Sequence, residues 1–383
     1  MTGGPRGFVP PPYPYDRLLD LVAEADRLEG GAVDLSIGTP CDPPAPAVLE
    51  ALASSGTERG YPPSIGTAAY REAAAAWFGR RFGVEVPPTA VGACIGTKEL
   101  VAGLPHWLRL RDPSRDTVLY PAVSYPSYAM GATLAGCRAV PVPVDERWRL
   151  DLSAVSPEDA ARALCLWSNT PGNPAGGLDD LVAVAEWGRS AGVPVFSDEC
   201  YVEFTWSGEP ALSGGVPGRT VLESGPEGVV AVHSLSKRSN LAGLRAGFYA
   251  GDAELVEYLR EVRKHAGFMV PGPAQAAGVA ALQDQVHVDE QRARYRSRLD
   301  RLAAVLASLG LVPPLPDGGF YLWVPAPGGD AWALAHRLAT ELGVVGSPGE
   351  FYGDAATGYV RLALVQPDDA LDLVERRAAA LAP

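Results

Sequence analysis

Short apolar runs without polar alternation occupy the middle of the chain, and segments with helical spacing separate them. The runs are residues 118–120, 139–142, 163–167, 193–196, 229–232 and 246–250. Strands buried on both faces have this pattern, because neither face of their sheet meets water. We therefore predict an α/β fold in which helices wrap a mostly parallel sheet.

The flanking segments predict further helices and a second, smaller α/β domain. Apolar residues recur at helical spacing over 16–28 and 70–82, the latter closed by Gly83, and a long helical tract follows residue 251 before a strand-like alternation at 319–324. A chain of 383 residues exceeds the usual size of one core. We predict an N-terminal arm and part of the small domain over 1–45, a large domain over 46–275 and a C-terminal small domain over 276–383.

Composition and charge exclude several classes of partner. The net charge is −13, and the chain has no block of consecutive Lys or Arg, so a nucleic-acid groove or an anionic membrane surface is not expected. Five cysteines form no CxxC pair and no metal-ligand spacing with the histidines, so we expect reduced thiols and no metal site. With no apolar run of about 18 residues, we expect a cytoplasmic protein.

Residues 233–247 are the segment richest in candidate chemistry. Lys237 stands among the hydroxyls of Ser234 and Ser236, and Arg245 follows eight residues later. A lysine amine that bonds to an aldehyde is a nucleophile, and nearby hydroxyls and a guanidinium suit a phosphate. The alternative for this segment alone is a solvated Ser/Lys-rich loop.

Four other segments place polar or aromatic residues after strands or in turns. Asn173 lies in a Pro/Gly turn at 168–177, and Asp198 follows shortly after the run at 193–196. Thr97 and Lys98 open a predicted helix whose N–H groups suit a phosphate, and Tyr125 follows a strand, where its ring could stack on a flat cofactor. Each has a plain alternative, namely an ordinary turn, a helix start or core packing.

Taken together, these motifs resemble the fold-type I pyridoxal-phosphate aminotransferases of class I/II over essentially the whole chain. The resemblance rests on the turn at Asn173-Pro174, the pair Asp198-x-x-Tyr201, and the Ser-x-Ser-Lys-x7-Arg motif that ends at Arg245. It implies a seven-stranded, mostly parallel sheet between two helical layers in a large cofactor-binding domain. It also implies a smaller α/β domain built from both chain ends.

The resemblance also implies a role for each matching residue. Lys237 would bond covalently to pyridoxal 5'-phosphate and then move the substrate's Cα proton, while Asp198 would keep the pyridine nitrogen protonated. Asn173 and Tyr201 would hydrogen-bond the phenolic oxygen, and Tyr125 would stack on the ring. The implied phosphate ligands are Thr97, Lys98, Ser234, Ser236 and Arg245, with Tyr61 reaching the phosphate of the other subunit in a homodimer. Arg361 and Gly38 would bind the substrate α-carboxylate.

The run Lys-Arg-Ser-Asn at 237–240 resembles the actinobacterial N-succinyldiaminopimelate aminotransferases of lysine and diaminopimelate biosynthesis. This likeness implies amino transfer between L-glutamate and N-succinyl-2-amino-6-oxopimelate. Candidate cations for the distal carboxylates are Arg59, Arg238, Arg263 and Lys264.

Alternatives remain open at this point. An aminotransferase with another amino and keto acid pair, or a C–S lyase, would have the same cofactor residues. A ligand-sensing regulator is disfavoured because the aminotransferase pattern begins within the first 40 residues, which leaves no room for a DNA-binding module. A nicotinamide dehydrogenase is disfavoured because no GxGxxG follows an early strand.

Overall fold

The computed structural model describes residues 7–381, so the first six residues of the predicted arm and the last two of the chain lie outside the described residues. Within that range the strands are β1 (Val33–Asp34), β2 (Val91–Cys94), β3 (Thr117–Pro121), β4 (Arg138–Val142), β5 (Ala163–Asn169), β6 (Val195–Asp198), β7 (Val229–Ser234), β8 (Gly247–Gly251), β9 (Tyr321–Pro325), β10 (Val344–Val345), β11 (Ser347–Pro348) and β12 (Tyr359–Ala363).

The α-helices of the described residues alternate with these strands along the chain. They are α1 (Leu19–Ala25), α2 (Pro46–Ala53), α3 (Ala68–Phe82), α4 (Thr97–Arg111), α5 (Ser127–Leu134), α6 (Pro157–Arg162), α7 (Leu181–Ala191), α8 (Leu235–Arg238), α9 (Ala253–Ala266), α10 (Gly272–Gln283), α11 (Val286–Ser308), α12 (Ala331–Leu342) and α13 (Asp368–Leu381). None of them is long and apolar enough to cross a membrane.

A seven-stranded sheet in the order β2-β8-β7-β6-β5-β3-β4 confirms the predicted fold class. All neighbouring strands are parallel except β8, which is antiparallel to both β2 and β7. Every residue of β5, β6 and β7 is buried, which explains why their sequences lack polar alternation. All six apolar runs predicted as strands belong to this sheet.

The apolar pattern did not predict strand β2, whose sequence Val-Gly-Ala-Cys has weak β propensity. Gly92 is required there because the Tyr249 ring of neighbouring β8 lies against it, and any side chain at Gly92 would collide with that ring. The helix expected over 16–28 is also shorter than predicted: a 3₁₀ turn, Pro14–Leu18, precedes α1, which ends at Ala25.

A second apolar core lies around the smaller sheets. The antiparallel sheet β11-β12-β9 and the parallel pair β1-β10 pack with α1, α11, α12 and α13, so residues from both ends of the chain share one hydrophobic cluster. The parallel pairing of Val33 with Val344 joins the two ends directly. The exact domain boundaries at residues 45 and 275 stay a prediction.

Candidate active site

Three neighbouring parallel strands end at the same edge of the large sheet and form the floor of a cavity of about 270 Å³. β5 ends at Asn169, β6 at Asp198 and β7 at Ser234, and Asn169 is paired with Asp198 in the sheet register. Ligand sites of open α/β sheets form at the carboxyl ends of such strands. This topology brings together residues that lie far apart in sequence.

Lys237 enters this cavity from the single-turn helix α8. The hydroxyl of Ser234 caps that helix by accepting a hydrogen bond from the Ser236 amide at 3.1 Å. The Lys237 ammonium donates to the carbonyl of Gly38, which lies on the opposite wall. Burial, reinforced by the positive charges of Arg361 and Arg245, lowers the pKa of Lys237 to about 8. A larger fraction of this amine is therefore neutral near physiological pH than for an ordinary lysine.

Asp198 is buried at the floor of the cavity, where two groups donate hydrogen bonds to its carboxylate. The Tyr128 hydroxyl donates to Oδ2 at 2.7 Å, and the Cys200 amide donates to Oδ1 at 3.2 Å. Burial raises the pKa of Asp198, and these donors oppose the rise. Sequence reasoning did not assign Tyr128 a role, although its position three residues after Tyr125 places both rings at the end of β3.

The turn at 169–174 holds Asn173 between two side chains of the cavity wall. Asn173 Oδ1 accepts from Arg361 Nη1 at 2.8 Å, and its amide nitrogen lies 3.5 Å from the Tyr201 hydroxyl. The side-chain oxygen of Asn169 fixes the turn by accepting a hydrogen bond from the backbone N–H of Asn173 at 2.8 Å. The Tyr201 hydroxyl also meets the hydroxyl of Tyr321 at 2.8 Å.

Arg361 lies on β12 and is only 2% exposed, so it is not a surface arginine. Its guanidinium donates to Asn173 and to the Ser36 carbonyl and lies 4.5 Å from the centre of the Tyr321 ring. No acidic side chain of residues 7–381 forms an ion pair with it, and its Nε has no hydrogen-bond partner among them. A buried guanidinium without a carboxylate is suited to an anionic ligand.

A second anion-binding end is formed at the N-terminus of α4. The helix begins at Thr97, and Gly96 before it has a φ of 69°. A side chain at Gly96 would collide with the guanidinium of Arg245, so glycine is required for that group to approach the helix start. With the hydroxyls of Ser234 and Ser236, these donors match the needs of a phosphate.

The rings of Tyr13 and Tyr125 line the mouth of the cavity. The ammonium of Lys98 lies 5.6 Å from the centre of the Tyr13 ring and 5.7 Å from that of Tyr125. Tyr13 belongs to the described part of the predicted arm, which therefore contacts this chain's own cavity. A second, largely apolar cavity of about 510 Å³ adjoins the mouth and is lined by the arm's prolines together with Met130.

Most of the residues chosen from sequence line the cavity. They are Gly38, Thr97, Lys98, Tyr125, Asn173, Asp198, Tyr201, Ser234, Ser236, Lys237, Arg245 and Arg361. Sequence reasoning missed several others, namely Tyr13, Tyr15, Ile37, Thr39, Tyr128, Asn169, Cys200 and Tyr321. Asn169 ends an apolar run as Asp198 does, which was a usable signal, whereas Tyr321 reads simply as a strand residue.

The candidates for a distal carboxylate are not placed as expected. Two are wrong because they are buried in ion pairs elsewhere: Arg238 binds Glu203 and Arg263 binds Glu99. Lys264 lies on the exposed face of α9 beside Glu261, and neither it nor Arg59 lines the cavity. Tyr61 is 96% exposed and also lies outside this chain's cavity.

The donor set fits pyridoxal 5'-phosphate. An amine with a lowered pKa and a buried carboxylate lie between a phosphate cradle at Gly96 and a buried guanidinium at Arg361. The cofactor needs the amine, the carboxylate and the phosphate cradle, and the guanidinium remains for the carboxylate of a substrate. The cavity thus defines a pyridoxal-phosphate enzyme that acts on carboxylate-bearing amines.

Comparisons with known proteins agree with this class. The family model described as aminotransferase class I and II matches residues 31–376, and the chain belongs to that pyridoxal-phosphate-dependent family. A probable aminotransferase of Mycobacterium tuberculosis is 44% identical over 368 residues, covering 94% of this chain and 83% of that protein.

Two further proteins are similar over nearly their whole length. The 4-dedimethylamino-4-oxo-anhydrotetracycline transaminase of Streptomyces rimosus is 41% identical over 362 residues, covering 94% of this chain and 96% of that one. The solved structure of a probable N-succinyldiaminopimelate aminotransferase from Thermus thermophilus has a TM-score of 0.81 at 32% identity, covering 96% of this chain and 100% of that one. The protein is an aminotransferase that uses amino and keto acid substrates.

Proposed function

We propose that the protein transfers an amino group between L-glutamate and N-succinyl-2-amino-6-oxopimelate. The observation that supports this substrate pair best is the run Lys-Arg-Ser-Asn at 237–240, together with the likeness to the Thermus thermophilus protein. The substrate carries an α-carboxylate beside the reacting carbon and two further carboxylates at its distal end. The site must therefore supply a cation near the reacting carbon and another at the mouth.

Each residue of the cavity has a task in this proposal. Bound pyridoxal phosphate supplies an electron-withdrawing ring that stabilises negative charge at the substrate's Cα. Lys237 would hold the cofactor covalently, and its amine would move the proton of that Cα. Asp198 would keep the ring nitrogen protonated, and Tyr125 would contact the ring.

The remaining polar residues bind and orient. Asn173 and Tyr201 would hydrogen-bond the phenolic oxygen of the cofactor, while Thr97, Lys98, Ser234, Ser236 and Arg245 would hold its phosphate. Arg361 binds the substrate α-carboxylate in two parallel hydrogen bonds, and Gly38 closes over the same group. Position 38 needs glycine because a side chain there would strike the Tyr321 hydroxyl.

For the distal carboxylates we infer that Lys98 replaces the four candidates chosen from sequence. Its amide lies at the start of α4, but its ammonium extends to the mouth, beside Tyr13 and Tyr125. It is the lysine of the cavity lining besides Lys237. Lys98→Met is expected to raise the KM for the succinylated substrate more than the KM for alanine.

We further propose a cytoplasmic homodimer in which Tyr61 reaches the phosphate bound by the partner. The exposure of Tyr61 and its position outside this chain's cavity support that role. The cysteines of the described residues are all free thiols, which suits a reducing compartment.

A second candidate function is transamination of a bulky, largely apolar ketone. The cavity of about 510 Å³ beside the mouth is mostly apolar, and the Streptomyces rimosus relative is a transaminase of an anhydrotetracycline. Such a substrate would bury its rings there and would not need a cation at the mouth.

The deciding experiment is a panel of amino donors in single half-reactions. Glutamate, aspartate, alanine and N-succinyl-diaminopimelate are each mixed with the purified enzyme, and loss of the visible cofactor absorption is followed. Our proposal expects N-succinyl-diaminopimelate and glutamate to react with the highest kcat/KM. If N-succinyl-diaminopimelate reacts no faster than alanine, the proposed substrate pair is wrong, while the class of enzyme stands.

A further inference from the structure

Lys237 lies on a helix too short to hold its own position. α8 has four residues, and one helical turn is unstable in isolation, so its neighbours must fix the lysine. On the cavity side, the Ser234 cap and the Gly38 carbonyl contact this turn. The opposite side of α8 is held by Arg238.

Arg238 extends away from the cavity into the protein and is 4% exposed. Its Nε donates to Glu203 Oε1 at 3.0 Å, and its Nη1 donates to the carbonyl of Ala281 in α10 at 2.6 Å. A buried guanidinium with these partners has a fixed direction, because every alternative rotamer would leave charge unpaired. The residue next to Lys237 is therefore anchored.

Glu203 is 3% exposed and accepts hydrogen bonds from three side chains. Besides Arg238, the donors are Trp77 Nε1 at 3.0 Å and Arg81 Nε at 2.9 Å, both from α3. Burial alone would raise the pKa of Glu203, but the two arginines hold it below its usual value. The carboxylate is thus charged and fully satisfied.

Chain connectivity links this carboxylate to the cofactor-facing residues. Glu203 lies two residues after Tyr201 and five after Asp198, in the segment that leaves β6. The ion pair therefore ties that segment to α8 behind the cavity, while Lys237, Asp198 and Tyr201 line it from the front. A shift of one side of the pair would change the distance from the lysine to the reacting atoms.

We propose that Glu203, acting through Arg238, is a positioning residue that fixes the amine of Lys237 for proton transfer. This role depends on the enzyme class and not on the proposed substrate pair. Neither Glu203 nor Arg238 lines the cavity. The effect of their ion pair should appear in the rate of the chemical step and not in the binding of the substrate carboxylate.

The test uses the holoenzyme and the half-reaction with glutamate. Arg238→Met is expected to lower the saturating rate by about 100-fold, as a displacement near 1 Å can. The KM for glutamate should change little, and the pH midpoint of the resting visible absorption should shift.

Arg238→Lys keeps the charge and is expected to recover part of the rate. The double variant Glu203→Gln/Arg238→Met should lose no more of the saturating rate than the slower of the two single variants, because both substitutions remove the same contact.

Arg81→Met is the matched control, because it removes the other arginine from the same carboxylate. Arg81 lies on α3, and its guanidinium also donates to carbonyls of the loop at 216–218. It forms no hydrogen bond with α8, which carries the lysine. Its loss should lower thermal stability to a similar degree but retain most of the rate and the spectral midpoint. Equal rate losses in Arg81→Met and Arg238→Met would show a purely structural role and overturn the proposal. An unchanged rate and midpoint in Arg238→Met would overturn it as well.

Discussion

Two arginines buried to nearly the same extent, Arg361 and Arg238, serve opposite purposes. Arg361 lies on the cavity wall with a carbonyl, an amide oxygen and aromatic rings around it but no carboxylate from residues 7–381. Arg238 lies behind the cavity and is paired with Glu203. Burying a guanidinium without a carboxylate costs free energy unless an anionic ligand binds it, whereas a guanidinium paired with a carboxylate fixes the position of the segments that carry the two groups. The presence of a protein carboxylate therefore separates a binding arginine from a supporting one.

The largest expected effect is on the lysine between these two regions. Lys237→Ala removes both the cofactor link and the proton carrier, so the glutamate half-reaction should slow by about 10⁴-fold. The purified variant should lack the visible absorption of the linked cofactor. A colourless Lys237→Ala protein that still transaminates would refute the role of this lysine.

The next largest effect tests the cavity side of the comparison. Arg361→Met removes the partner of a carboxylate common to all amino acid substrates, so the KM for each should rise by about 100-fold. Glutamate, aspartate and alanine are compared in half-reactions. If the KM of one substrate alone rises, Arg361 contacts something other than the α-carboxylate.

A smaller effect is expected from the hydrogen bond to Asp198. Tyr128→Phe keeps the ring against Trp167 but removes the hydroxyl that donates to Asp198. The pKa of Asp198 should rise further, so the acidic limb of the half-reaction's pH profile should move to higher pH and the rate at neutral pH should fall by about tenfold. An acidic limb that stays in place would mean that this carboxylate is not tuned by Tyr128.

The last effect concerns folding stability, and not reaction rate, in the cofactor-free protein. Because the pKa of Lys237 is lowered to about 8, the folded state loses its proton at lower pH than the unfolded chain does. The unfolded state binds more protons between pH 8 and the ordinary lysine pKa, so folding stability should rise across that window by at most about 3 kcal/mol. Lys237→Met should lack this rise when urea unfolding is compared at both ends of the window. An identical rise in the variant would assign it to other groups.

The sequence pattern predicted the sheet well because strands β5, β6 and β7 are buried on both faces and read as continuous apolar runs. The same pattern also indicated which residues lie at the floor of the cavity, since Asp198 and the Lys237 motif come shortly after such runs. Strand β2 escaped prediction because its glycine is required by contact with Tyr249, which lies on the neighbouring strand β8 but far along the chain. Local pattern does not encode that contact.

The two arginines show where sequence reasoning stops. Arg238 was a candidate cation for the distal carboxylates, but it is paired with Glu203, which lies 35 residues earlier in the chain. Arg361, which the family resemblance assigned to the substrate α-carboxylate, lines the cavity, and that role stays a prediction. Its missing carboxylate partner is a property of packing between β12 and the turn at Asn173, which only the fold shows.

One paired measurement tests the central distinction most directly. The glutamate half-reaction is saturated in Arg361→Met and in Arg238→Met under the same conditions, and kcat and KM are separated. We expect Arg361→Met to raise KM mainly and Arg238→Met to lower kcat mainly. The same pattern of change in both variants would contradict the division between a binding arginine and a supporting one.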